Sequence, residues 1–151
     1  MIALEKYNTQ WSKIFLTQKT HIIQNLPNCL EIHHIGSTAI VGILAKPIVD
    51  ILAVVSDISQ VGEIDGYKPH GEYGIIGRRY FTKSGINLHI FQGGAKEIAD
   101  MRFFVEYLNA NPKVASQYEE LKINLAKIHN NTNEYANAKN DFINAILSLN
   151  I

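Results

Sequence analysis

Cysteine is nearly absent. A single residue, Cys29, leaves no internal disulfide framework and no cysteine-based zinc centre, and nothing around it suggests a nucleophile. Charge is also scarce. Only 19% of residues are charged, and 14 Lys plus Arg balance 14 Asp plus Glu. A chain with no cationic excess is not built to hold a polyanion by bulk charge, so nucleic acid is not an expected partner. No apolar run approaches the roughly 20 residues that cross a bilayer. The opening MIALEKYNTQ lacks the basic-then-apolar order of a secretory signal. A cytoplasmic protein without a membrane partner is the expectation.

Glycine is missing from both ends. All 10 glycines lie between Gly36 and Gly94. Glycine marks tight turns and unusual backbone angles, so the middle reads as strands and loops and the flanks as helices. With 151 residues, 46% of them apolar, the chain suits one domain over 1–151. Trp11, Ile14, Phe15, Ile22, Ile23 and Leu26 form an N-terminal helical stripe that Pro27 ends. Strands are expected at 31–35, 47–55, 73–76, 80–83 and 86–92. The 47–55 segment, PIVDILAVV, is a central strand buried on both faces but for one acid, Asp50. Three C-terminal helices follow. Ile98 to Leu108 carries the first stripe. Val114, Tyr118, Leu121, Leu125 and Ile128 carry the second, opened by Asn111 as N-cap and Pro112 at the first helical position. Tyr135, Ala138, Phe142, Ile146 and Leu149 carry the third, after a 129–133 loop. The order predicts an α+β domain, a mixed sheet flanked by an N-terminal helix and three C-terminal helices.

The chemistry concentrates in His33 to Asp50, HHIGSTAIVGILAKPIVD. Gly36-Ser37-Thr38 turns off a strand, and such a turn presents amides and hydroxyls suited to phosphate oxygens. Lys46-Pro47 opens the next strand, where proline is tolerated. Asp50 sits among Ile48, Val49, Ile51 and Leu52, where an acid is costly unless it meets a cation or strong hydrogen bonds. Arg78 and Arg79 are the densest positive charge, and guanidinium suits bidentate phosphate binding; of the two, Arg79 is the candidate. Tyr135 and Lys139 share a helix face at i and i+4. His33 points opposite to His34 by strand alternation. His21, His70 and His129 sit in helix or loop contexts, and Trp11 reads as core.

Gly36-Ser37 followed by Asp50 in an apolar strand resembles the signature of the nucleotidyltransferase superfamily, of the DNA polymerase β type. His34-Ile35-Gly36-Ser37-Thr38, Gly42, Lys46-Pro47 and Asp50 are more closely similar to the GrpB family. The likeness extends through Gly77-Arg78-Arg79-Tyr80-Phe81, Leu88-His89-Ile90-Phe91, Arg102, Tyr107 to Pro112, and Tyr135 with Lys139 and Phe142-Ile143. Val41 stands where the family usually has proline.

The resemblance implies a nucleotidyltransferase-like fold and a metal-dependent transfer of a nucleotidyl group to a small acceptor. Active members of the superfamily carry two acids one residue apart, side by side on one strand face. Here the second position is Leu52, and the third acid's place on a neighbouring strand falls to His89. The implied catalytic residues are Asp50 and His89, and the implied metal ligands Asp50, His89 and His34. The implied phosphate binders are Gly36, Ser37, Thr38, Lys46, Arg79 and Lys139. The expected cofactor is a divalent metal, Mg²⁺ or a transition metal; one acid with imidazoles suits the latter. The expected partner is a nucleotide or another phosphorylated small molecule, and a homo-oligomer is compatible with the apolar last helix. Two alternatives stay open: a non-catalytic nucleotide- or phosphate-ligand-binding domain of the same fold, and a single-metal hydrolase.

Overall fold

The computed structural model describes residues 2–150. Helix α1 spans Gln10–Gln24 and leads into strand β1, Cys29–Ile35. A short 3-10 turn, Ser37–Ala39, precedes strand β2, Val49–Val55. Strands β3 (Lys68–Pro69), β4 (Arg79–Lys83) and β5 (Ile86–Gln92) complete one sheet. Helices α2 (Lys96–Ala110), α3 (Pro112–Ile128), α4 (Thr132–Ala138) and α5 (Asn140–Leu147) follow. The expected α+β architecture is what the chain adopts. No helix among the described residues is long and apolar enough to cross a membrane.

The sheet runs β1-β2-β5-β4-β3. The central pair β2 and β5 is parallel, and the other pairings are antiparallel. Cross-strand partners share a face, so the register sorts the side chains. Val49, Ile51, Ala53 and Val55 face α1 with Leu88, Ile90 and Phe81, and close the larger core around Trp11, Ile22 and Leu26. Leu52 and Val54 face the other way with Ile35 and Phe91, against Val105 of α2. Asp50 shares that second face, at the mouth of a third apolar cluster in which Phe104, Leu108, Tyr118 and Ile146 join the C-terminal helices. Ile51 is fully buried. Ile51→Val, which deletes one methylene there, is expected to cost about 0.5–1.5 kcal/mol in denaturant unfolding with an unchanged slope.

Three sequence expectations are revised. Residues 73–76 form turns, not a strand, and β4 pairs instead with β3. Gly71, Gly74 and Gly77 have positive φ there, and so does Tyr73 at 48°, which an extended strand excludes. The third C-terminal helix divides into α4 and α5 at Lys139, between the weak helix formers Asn137 and Asn140. Asn111 stands at the N-cap of α3 without a side-chain cap; its amide donates to the Tyr107 carbonyl of α2 at 2.8 Å.

Candidate functional site

Strand alternation leaves Asp50 as the one half-exposed residue of β2. Its carboxylate looks into a cleft between the sheet and the C-terminal helices. Two hollows there share Ser37, Asp50 and Lys139 in their walls. One, of about 190 Å³, is cationic: Lys46, Lys122 and Lys139 line it with Asn87 and Tyr135. The other, of about 260 Å³, is mainly apolar, lined by Ile35, Met101, Phe104, Ile143 and Leu147. The cleft is therefore amphiphilic, charged at one end and greasy at the other.

Gly36 brings the turn against Asp50. Its φ of 74° and ψ of −173° lie in a region essentially restricted to glycine. A Cβ at this position would stand 2.6 Å from Asp50 Oδ2. Ser37, next in the turn, places its hydroxyl 3.4 Å from the Tyr118 hydroxyl. Burial pushes the Tyr118 phenol up to about 12, offset by the Ser37 contact, with the Asp50 charge adding to the rise.

Asp50 Oδ1 is 3.2 Å from His89 Nε2, and His89 Nδ1 is 3.2 Å from a terminal nitrogen of Arg78. A guanidinium only donates. Arg78 therefore donates to a bare Nδ1, the ring proton sits on Nε2, and that N–H donates to Asp50. Arg78 is 6% exposed. It also donates to the Glu72 and Tyr73 carbonyls at 3.2 and 2.8 Å and lies 4.5 Å from the Tyr80 ring centre. Desolvation lowers its pKa from the ordinary value. A buried charge with four contacts positions His89, and His89 positions the Asp50 carboxylate.

The cleft thus gathers Gly36, Ser37, Lys46, Asp50, His89 and Lys139 of the expected set. It does not gather three others. Arg79 pairs with Ile90, so its side chain projects from the opposite face into a hollow beside Tyr67 and Phe81. Arg78, one residue outside the strand, takes the place expected for Arg79. His34 pairs with Ile51 and also lies on the far face, its ring stacked on Phe15 at 5.3 Å. The hydroxyl of Thr38, a buried residue, donates to the Ile48 carbonyl at 3.1 Å and so accepts from His34 Nε2–H at 2.9 Å. Burial lowers the His34 pKa, with Asp50 opposing. His34 and Thr38 lock the turn between β1 and β2. It is His33 that shares the face of Asp50, and it pairs with Glu31 at 2.8 Å. Among the described residues, no three His, Cys, Asp or Glu side chains gather as a metal cluster.

Burial depresses the site lysines. Lys139 falls to about 8, chiefly by desolvation, with Lys46 lowering it further and Asp50 opposing. Lys46 is lowered by desolvation against the same Asp50 charge. Both ammonium groups lie over the Tyr135 ring, Lys46 at 5.6 Å and Lys139 at 4.7 Å from its centre. Sequence reasoning chose Arg79 over Arg78 and did not single out Asn87, Asp100, Tyr118 or Lys122 for the site. Lys122 left a signal. The buried stripe of α3 is Ala115, Tyr118, Lys122 and Ala126, so a lysine falls at i+4 from Tyr118 where an apolar residue is due.

Comparison with known proteins identifies the family. The family model described as GrpB protein matches residues 1–149. The UPF0157 protein YqkA of Bacillus subtilis is 38% identical over 91% of this chain, which spans only 43% of that protein's length. The Glutamate-rich protein GrpB of Alkalihalophilus pseudofirmus is 32% identical, covering 97% of this chain and 94% of that protein. The crystal structure of the conserved protein GrpB from Enterococcus faecalis superposes with a TM-score of 0.90 at 34% identity, covering 97% of this chain and 95% of the other. The chain belongs to the GrpB family and has its nucleotidyltransferase-like fold.

Proposed function

We propose that this chain binds a nucleotide, or a closely similar phosphorylated small molecule, in the amphiphilic cleft, and transfers a nucleotidyl group from it to a small acceptor. The observation that carries this reading is the meeting of Ser37, Asp50, Lys46 and Lys139 around one cavity of about 190 Å³. The apolar hollow beside it, walled by Met101 and Phe104, suits the uncharged part of a nucleotide or acceptor.

A transition-metal site does not fit these residues. His34 faces away, and His89 spends Nδ1 on Arg78 and Nε2–H on Asp50, so neither imidazole offers a lone pair to the cleft. A hydrated Mg²⁺ fits better. It needs one or two carboxylates and takes its other ligands from water and phosphate. Asp50 would hold it, with the Asn87 amide and Ser37 hydroxyl lining the same cavity. Bound there, it would neutralise phosphate charge and polarise the phosphorus under attack. The chain's own part is placement. His89 fixes the Asp50 carboxylate, Lys46 and Lys139 meet phosphate oxygens, and Ser37 borders both hollows with its hydroxyl beside that of Tyr118, which lines the apolar one.

A binding-only role is the second reading, favoured by Leu52. It shares the face of Asp50 and is fully buried, so the place of a second acid is filled with core. The single-metal hydrolase, built on Asp50 and His89, loses its imidazole ligand, because His89 spends both ring nitrogens on Arg78 and Asp50.

Thermal unfolding with Mg²⁺ and a panel of nucleoside triphosphates tests the proposal. Ligand at 100 times its Kd stabilises the folded state by about 2.7 kcal/mol. The expected rise in Tm needs nucleotide, grows with Mg²⁺, and is lost in Asp50→Asn. Release of pyrophosphate on adding acceptors then marks transfer, and binding without release marks the second reading. No shift with any triphosphate would overturn both.

A further inference from the structure

Lys122 is a cation without an anion. It is 1% exposed, on α3 one turn after Tyr118. Its ammonium donates to the Leu44 carbonyl and lies 5.0 Å from the Tyr118 ring centre. The neighbouring Glu119 carboxylate accepts instead from the Leu44 amide at 2.6 Å. An ammonium has three donors, and one carbonyl satisfies one. A buried lysine in this setting costs stability that a methionine of similar length would not. Lys46 and Lys139 are in the same position: each rests on Tyr135, and among the described residues no carboxylate forms an ion pair with either, or with Lys122. The three share a cavity of about 190 Å³ whose wall holds one acid, Asp50. When all are protonated, two positive charges there lack a counter-charge.

We propose that Lys46, Lys122 and Lys139 form a subsite for a diphosphate or triphosphate group, with Lys122 the residue that separates such a ligand from a monophosphate. The lysines stand at two stations. Lys46 and Lys139 sit at the Tyr135 ring, and Lys122 sits at Tyr118 and Leu44. One tetrahedral phosphate fills one station, whereas a chain of two or three can engage both. The inference rests on reading the cleft as a phosphate-ligand site and makes no use of transfer or of metal.

Proton uptake should accompany binding. Facing Lys122 are Tyr118 and Glu119 of α3, Tyr135 of α4, Lys139 at the α4–α5 junction, and Lys46 and Asp50 from the sheet side. Desolvation, then Lys139, holds Lys122 down at about 7, with Glu119 opposing; Lys139 stands at about 8. Both values lie below the ordinary one, so the empty site sheds protons as pH rises from 7 to 8. A bound oligoanion favours the charged amines and draws those protons back. Affinity is therefore full below the lower value and falls as pH climbs past the upper one.

Inorganic pyrophosphate and inorganic phosphate, each without metal or nucleoside, are the probes. Calorimetry is run on wild type, Lys122→Met and Lys139→Met at several pH values, in buffers of different ionisation enthalpy. Wild type is expected to bind pyrophosphate at least tenfold more tightly than phosphate and to take up protons on doing so. Lys122→Met should lose at least tenfold in pyrophosphate affinity, leave phosphate affinity nearly unchanged, and raise Tm. A purely structural lysine cannot produce higher stability together with weaker binding. If Lys122→Met lowers Tm and leaves pyrophosphate affinity intact, or if phosphate binds wild type as tightly as pyrophosphate, the inference is overturned. Should Lys122→Met not fold, Lys139→Met decides: weaker binding of both probes, which share its station, upholds the subsite, and unchanged binding of both overturns it. Pyrophosphate selectivity without nucleotidyl transfer would uphold the subsite and leave the transfer reading to fall alone. Transfer with unaltered pyrophosphate binding in the variants would do the reverse.

Discussion

Arg78→Met is expected to unfold about 2–4 kcal/mol more easily than wild type and to release His89 from its fixed orientation. The guanidinium ties the 72–73 turn to the sheet at His89. It donates to Glu72 O at 3.2 Å, Tyr73 O at 2.8 Å and His89 Nδ1 at 3.2 Å, and it covers Tyr80. Hydrogen bonds from charged donors are worth about 1.5–3 kcal/mol each, but some of that sum returns because a buried cation no longer has to be desolvated. The carbonyls at 72 and 73 lie in an exposed turn and can rehydrate, which keeps the total below the simple sum. Two readouts separate positioning from bulk stability. In wild type the His89 Nε2 proton, held against Asp50, should give a distinct imidazole ¹⁵N–H signal, with Nδ1 in the unprotonated range. In Arg78→Met that signal should broaden by exchange with water, and amide exchange in 71–77 should accelerate while the β2 and β5 amides stay protected. Arg78→Lys keeps the charge but loses the planar fork, so it should rescue stability in part and leave the His89 signal impaired. Equal loosening of sheet and turn would show that Arg78 acts only through global stability.

The same residue shows where the sequence stops being informative. PIVDILAVV announces both a buried strand and its one anomalous acid, because every other position is apolar. The exposure of Asp50 then follows from alternation alone. The phase of β4 is another matter. Whether Arg78 or Arg79 reaches the site depends on which one opens the strand, and pairing of Arg79 with Ile90 decides that. A step of one residue exchanges the two faces. The histidines obey the same rule. Their opposition is local, but Ile35 pairing with Asp50 makes His33, not His34, the one on the acid's side. That pairing is set by the 36–48 connection, whose length gives no register. The missing strand at 73–76 has a local cause, the run of positive φ at Gly71, Tyr73, Gly74 and Gly77, and the glycines in GEYGIIG already pointed to it. Lys122 left only a weak signal: the stripe read from the sequence runs through Tyr118, Leu121, Leu125 and Ile128, whereas the fold turns Ala115, Tyr118, Lys122 and Ala126 inward and leaves Ile128 exposed.

Gly36→Ala is expected to cost about 2–4 kcal/mol and to abolish ligand-dependent stabilisation, and the two effects have separable causes. The first is backbone. With φ at 74° and ψ near −173°, an alanine sits in a region that costs about 1–3 kcal/mol for a residue with a side chain. The second is contact. The new Cβ would stand 2.6 Å from Asp50 Oδ2 and 3.1 Å from Asp50 Cβ. The turn and the carboxylate must therefore part, and Asp50 cannot yield freely because His89 holds its other oxygen at 3.2 Å. The double variant Gly36→Ala/Asp50→Ala removes the oxygen and leaves the backbone strain and the 3.1 Å approach to the Cβ at position 50. Its stability should consequently exceed the sum of the single effects by about 1–2 kcal/mol, within the range found for residues in direct contact. Additivity of the two changes would mean that the turn moves away from β2 without cost, and that the approach of Gly36 to Asp50 does not define the site. A positive coupling, with ligand stabilisation lost in both single variants, would show that the glycine is needed where it is because the carboxylate occupies the space its side chain would fill.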